Sequence, residues 1–139
     1  MRLYLYPISL ALFSLSSADP FDYGYWDVMV ARSFPASGFR SWDLWANYSR
    51  TPGLTKHSSW TYSPVNGSTI VIHNDPNFDS TYGDDGSVKL TQSVYISDEI
   101  AVDVLGNGTI QCIINSASGR ACSGSGRLNA TCSGELCFP

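Results

Sequence analysis

Two histidines, four cysteines and twelve acidic side chains are the residues of this 139-residue chain best able to do chemistry. A nucleophilic Ser–His–Asp site needs a hydroxyl held against an imidazole, and one large class of such enzymes presents its serine in a GxSxG elbow. No such elbow occurs in the sequence. His57 alternates with Thr55 and Ser59 in a strand-like run and His73 ends another, so both read as hydrogen-bonded surface histidines. A hydrolase built on His57 and an aspartate is the enzymatic alternative. Glycoside hydrolysis would need two carboxylates across a cleft, one with a raised pKa. The only glutamates, Glu99 and Glu135, lie in turn and tail sequence. Asp84-Asp85-Gly86 reads as a hairpin turn, without the alternating oxygen ligands of a calcium loop. Asp27 and Asp43 each follow a tryptophan, where strand alternation turns them to solvent. No catalytic residue is assigned, and the chain reads as non-enzymatic.

Cys112, Cys122, Cys132 and Cys137 all fall late and contain no CxxC pair, while His57 and His73 lie far upstream. Zinc-ligand spacing is therefore missing, and no metal or cofactor is expected. An even cysteine count behind a secretory leader reads instead as two disulfides, with all three connectivities open.

The aromatic residues are the strongest compositional signal. Trp42, Trp45 and Trp60, with nearby tyrosines, could stack on sugar rings or form a protein-binding patch, or could simply fill a core poor in leucine. In "FDYGYWDVMVARS" period two puts Trp26, Val28 and Val30 on one face, as the first core strand. Tyr23, Tyr25, Asp27 and Met29 fall on the other, which leaves Tyr23 and Tyr25, with Phe21, as a candidate binding surface.

Strands must position these groups. Short alternating runs rich in Val, Ile, Thr, Tyr and Trp are separated by Gly, Pro, Asn and Asp clusters across residues 19–139. They predict seven to nine strands in a single antiparallel β-barrel or sandwich. Asn66-Gly67 and Asn107-Gly108 are read as turns, and Phe78–Tyr82 as a short strand. "TIQCII" is read as a strand, "NSASGRACSGSG" as a loop and "RLNATCS" as a weak last strand. Ser41 offers one alternative, as the N-cap of a helix through "SWDLWANYS".

Ahead of this domain, residues 1–18 read as a secretory signal: Arg2, then apolar Leu3 to Leu15, then the small residues Ser16-Ser17-Ala18. The segment is short for a membrane span and carries Pro7, so the product is expected to be released. Four sequons, at Asn47, Asn66, Asn107 and Asn129, fit the same extracellular compartment and are candidate glycosylation sites. Of the eight Lys and Arg residues, Arg2 leaves with the leader, against twelve Asp and Glu. An acidic chain without a basic cluster is a poor partner for nucleic acid or an anionic membrane.

The acidic-aromatic opening strand, "SVKLTQSVYISDEIAVDVLG" and "QCIINSASGRACSGSG" together resemble the Alternaria major-allergen family of small secreted fungal proteins. The resemblance rests on Tyr25, Trp26 and Val28, on Leu90, Gln92, Ser97 and Asp98, and on Cys112, Cys122 and Gly124, and does not cover residues 40 to 85. It implies a compact extracellular β-barrel without established enzymatic activity, allergen-like or effector-like, that binds a host or extracellular partner. It also implies a Cys112–Cys122 bridge, which leaves Cys132 to Cys137. Some members dimerise through an early cysteine; this chain has none before Cys112, so neither a covalent dimer nor a ligand pocket at that interface carries over. The second expectation for function is a carbohydrate-binding module for cell-wall glycans that stacks Trp42, Trp45 or Trp60 on sugar rings.

Overall fold

Each apolar run with period two becomes a strand in the computed structural model, which describes residues 22–51, 53–95, 97–133 and 137. The expected leader, Phe21 and Glu135 lie outside the described residues. The strands are β1 (Tyr25–Ser33), β2 (Arg40–Tyr48), β3 (Thr55–Ser63), β4 (Ser68–Asn74) and β5 (Phe78–Tyr82). They continue with β6 (Ser87–Tyr95), β7 (Ala101–Thr109), the two-residue β8 (Ile113–Ile114) and β9 (Ala121–Ser133). All pairs are antiparallel, in the order β4-β3-β2-β1-β9-β7-β6-β5, with β8 also on β9. β5 then comes against β2 and β3. The result is a nearly closed barrel with a seam where β5 meets β2 and β3 and β4 runs free.

β9 joins the two halves. Its residues Ala121–Asn129 pair with β1, and Ala130–Ser133 pair with β7. This is the main departure from sequence expectation, since a segment read as loop plus weak strand is the longest strand of the barrel. Its glycines are there for close approach: a Cβ on Gly124 would run into the Gln111 carbonyl oxygen. "TIQCII" shrinks correspondingly to β8. Asn107-Gly108 is not a turn but lies within β7, because Gly106 and Gly108 make room for core side chains. A Cβ on Gly106 would lie 2.8 Å from Trp26 Cδ1, and one on Gly108 would overlap Leu128. Asn66-Gly67 does turn, with Gly67 at φ 66°. Residues 41–48 are strand β2 rather than helix.

Alternation fills the interior. Trp26, Val28 and Val30 of β1, Leu44 and Ala46 of β2, Val88 and Leu90 of β6 and Val102 and Val104 of β7 are all buried. Trp26 is fully enclosed, with Tyr48 at 4.8 Å and Phe78 at 6.1 Å between ring centroids. Disulfides join Cys112 to Cys122 and Cys132 to Cys137, with Cα–Cα separations of 5.3 and 5.7 Å. This is the pairing the family resemblance implies.

Candidate functional site

At one end of the barrel the inward positions of β2 and β3 bring Trp42 directly opposite Trp60. β4 carries Thr69 to one side of this pair, and the β5 end with its following turn carries Thr81, Tyr82 and Asp84 to the other. These residues line a cleft of about 290 Å³. It continues into a hollow of about 400 Å³ that shares Trp42, Thr69 and Asp84 and adds Arg40 and Tyr62. The site therefore occupies the seam, where the barrel wall is incomplete.

Arg32 supports it from below. It takes the inward position after Trp26, Val28 and Val30, and its side chain is buried. The guanidinium carbon lies 4.5 Å from the Tyr82 ring centroid and 5.7 Å from that of Trp42, so the cation is held between two π faces. Nη2 donates to the Gly83 carbonyl at 2.7 Å, and Nη1 lies 3.1 Å from Asp84 Oδ1, whose side chain is 87% exposed. Arg32 thus fixes both rings and the β5–β6 turn in one frame. Trp42 Nε1 and Arg32 Nε are buried and have no acceptor among the described residues. The Tyr82 hydroxyl donates to the Ile110 carbonyl at 3.0 Å.

Burial pushes the hydroxyls of Tyr82 and Tyr48 above their ordinary value of 10.0; Arg32 partly offsets this at Tyr82, and Arg50 at Tyr48. With the folded pKa above the unfolded one, their contribution to stability is complete below about pH 10 and is lost as pH rises through the folded value. Denaturant midpoints should therefore fall on the alkaline side, and fall less steeply in Tyr82→Phe. An identical alkaline slope in that variant would remove Tyr82 as a cause.

Trp45 lies elsewhere. It faces outward and stacks on His57, with centroids 4.9 Å apart and planes 2° from parallel. His57 Nε2 lies 2.9 Å from Asp43 Oδ1, and the His73 ring is 5.1 Å further on. The imidazole and aspartate of the enzymatic alternative do meet, on the outer wall. An outer hollow of about 500 Å³ runs past Trp45, Met29 and Arg127. Its charges already satisfy one another: Arg127 Nε donates to Asp27 Oδ1 at 2.9 Å, and the guanidinium covers Tyr25 at 3.7 Å. One face of Trp45 is already taken by His57. The seam, with its opposed Trp42–Trp60 pair and Tyr82 braced by Arg32, is the better candidate.

Tyr23 and Tyr25 do not form the shared surface that alternation implies. Gly24, at φ 84°, breaks the period, so Tyr23 packs against the core and its carbonyl accepts from the Tyr48 hydroxyl. Tyr25 faces out. Asn47, Asn66, Asn107 and Asn129 are all exposed. Sequence reasoning missed Arg32, Tyr82 and Asp84. The parity of β1 could have found Arg32, and Tyr82 stands two and four residues from Ser80 and Phe78 on the inward face of β5.

No family model matches the sequence, and no curated protein matches it. Its structure is similar to the crystal structure of the Alternaria alternata major allergen Alt a 1, with a TM-score of 0.52 and 13% identity. The match covers 83% of this chain and 98% of that one. The two share a fold. Likeness to Alt a 1 at this identity concerns architecture alone, which is where the sequence resemblance is upheld. The Alt a 1-like barrel is the frame within which the seam lies.

Proposed function

We propose that this chain is a secreted, non-enzymatic fungal binding protein, allergen-like or effector-like, that engages a host or extracellular partner through the seam cleft. The observation that carries this reading is the opposed Trp42–Trp60 pair, with Tyr82 held beside it by Arg32. Partly exposed aromatics on a preorganised frame give large contact area at low entropic cost, as binding hot spots do. Two disulfides fit an oxidising compartment, and the likeness to an allergen fold agrees with it.

A cell-wall glycan is the second reading. It is favoured by the company the rings keep: the hydroxyls of Thr69 and Thr81 and the carboxylate of Asp84 suit a hydroxylated ring stacked on indole.

Chitin and β-glucan pull-downs and a glycan array, run beside capture from plant extract, separate the two. In either case Trp42→Ala should weaken binding more than tenfold, about 1.4 kcal/mol, while Trp45→Ala on the outer wall leaves it unchanged. Equal loss in both variants, with the fold intact by near-UV circular dichroism, would remove the seam as the site. Turnover of a polymer by the folded protein would overturn the non-enzymatic reading.

A further inference from the structure

β2 turns Trp45 and Asn47 outward together, because residues two apart in a strand share a face, and the alternate residues Leu44, Ala46 and Tyr48 are buried. The ladders set Met29 and His57 on either side of Trp45, and Asp27 and Thr55 on either side of Asn47. His57 covers one face of the indole. It takes no part in the outer hollow of about 500 Å³ that Trp45, Met29, Asn47 and Thr55 line. The indole surface turned to the hollow is therefore not the face that His57 occupies. Met29 is 51% exposed, so the hollow offers apolar surface to solvent. Beside it stand polar groups, the Thr55 hydroxyl and the Asp27–Arg127 ion pair.

We infer that the chain covers this hollow with its own sugar: an N-glycan on Asn47 whose first N-acetylglucosamine lies against the Trp45 indole. The choice of occupant follows from the covalent anchor. Asn47 is exposed, begins the sequon Asn47-Tyr48-Ser49 and itself lines the hollow. Residues two apart on one face of a strand stand about 7 Å from each other, so a pyranose linked to the Asn47 amide reaches Trp45 without crossing another strand. A pyranose presents C–H groups on its flat sides and hydroxyls around its edge. Indole offers a large apolar face to the former, and Thr55 offers a hydroxyl to the latter. The other three sequons lack this pairing: Pro64, Leu105 and Arg127 stand two positions before Asn66, Asn107 and Asn129. Arg127 is already committed to Asp27 and Tyr25.

The modification is a group transfer. Asn47 Nδ2 bonds to the anomeric carbon of a lipid-diphosphate-linked oligosaccharide. The diphosphate leaves with the electron pair of the broken C–O bond, Nδ2 gives up one proton, and nothing is oxidised or reduced. Transfer precedes the pairing of β2, so the folded hollow receives a sugar that is already attached. The inference rests on secretion as proposed above and is independent of the seam cleft. With Trp45 and Met29 covered, the seam is left as the aromatic surface open to a partner.

The full chain, secreted from a yeast and trimmed by an endoglycosidase to one N-acetylglucosamine per site, tests this. Peptide mass spectrometry should find that sugar on Asn47. In NMR spectra its ring C–H signals should lie upfield of their free-sugar positions, shifted by the indole ring current. The shifted set should vanish in Asn47→Gln and return to the free-sugar positions in Trp45→Ala. The denaturation midpoint of the trimmed wild type should exceed that of Asn47→Gln, and the gap should be lost when both carry Trp45→Ala. The NMR comparison of wild type with Asn47→Gln decides the matter even where Trp45→Ala fails to fold. Sugar signals at their free positions overturn the proposal, as does a midpoint gap of full size in the Trp45→Ala background. An unmodified Asn47 overturns it too: with the chain in the medium secretion stands, and with the chain held in the cell both fall.

Discussion

Trp26→Ala should lower the stability of the barrel by about 3–5 kcal/mol, the cost of truncating a fully buried large aromatic. Chemical denaturation followed by far-UV circular dichroism checks it. The indole has no exposed surface, touches Tyr48 and Phe78, and occupies space that Gly106 leaves open on β7. Nothing nearby can collapse into the void without moving a strand, because the surrounding positions are themselves ladder residues of β2, β5 and β7. The complementary change, Gly106→Val, crowds the same spot from the other side. Both should destabilise, and the double variant should recover part of the loss if the two positions share one volume. A loss below about 1 kcal/mol for Trp26→Ala would mean that the ring does not organise the core.

Removing the Cys112–Cys122 bridge by the double change to serine should cost about 3 kcal/mol, from the closure entropy of a loop of this length. The bridge holds the approach to β8 against β9, where Ile113 pairs with Ser123 and Ile114 with Cys122. Among the described residues β8 makes no other ladder, so in the double variant amide exchange should rise first at Ile113 and Ile114. It should rise later in the β1–β9 ladder. Unchanged protection at β8 would show that the two-residue ladder holds without the bridge.

The sequence was legible wherever packing is local and period two is clean. β5 matches its predicted bounds, and the inward set Trp26, Val28 and Val30 follows from parity alone. Legibility failed where a glycine's role is long-range. Gly108, Gly124 and Gly126 read as turn or loop residues, because what they accommodate lies elsewhere in the chain: Leu128, the Gln111 carbonyl and Ile110. Gly24 failed in the other direction, breaking an alternation that the residue types support. The cleft was half legible. Trp42 and Trp60 were named as candidates, but parity within one strand cannot reveal that they face each other across a pair. Nor can it show that Arg32 and Tyr82, from strands 50 positions apart in sequence, close the frame; Arg32 to Gly83 spans 51 residues.

The place of β9 between β1 and β7 bears on the order in which the chain can fold as it is made. Asp27 and Arg127, paired across that junction, are 100 residues apart. During vectorial synthesis the β4-β3-β2-β1 half and the β7-β6-β5 half can each form hairpins early, yet each must wait with an open edge. Only when β9 emerges do β1 and β7 acquire their shared neighbour. Contacts so remote in sequence are slow to form and leave edges exposed meanwhile. β9, made after both of the strands it joins, is thus the segment that makes the barrel whole, and its loss would leave two unfinished sheets rather than shorten one.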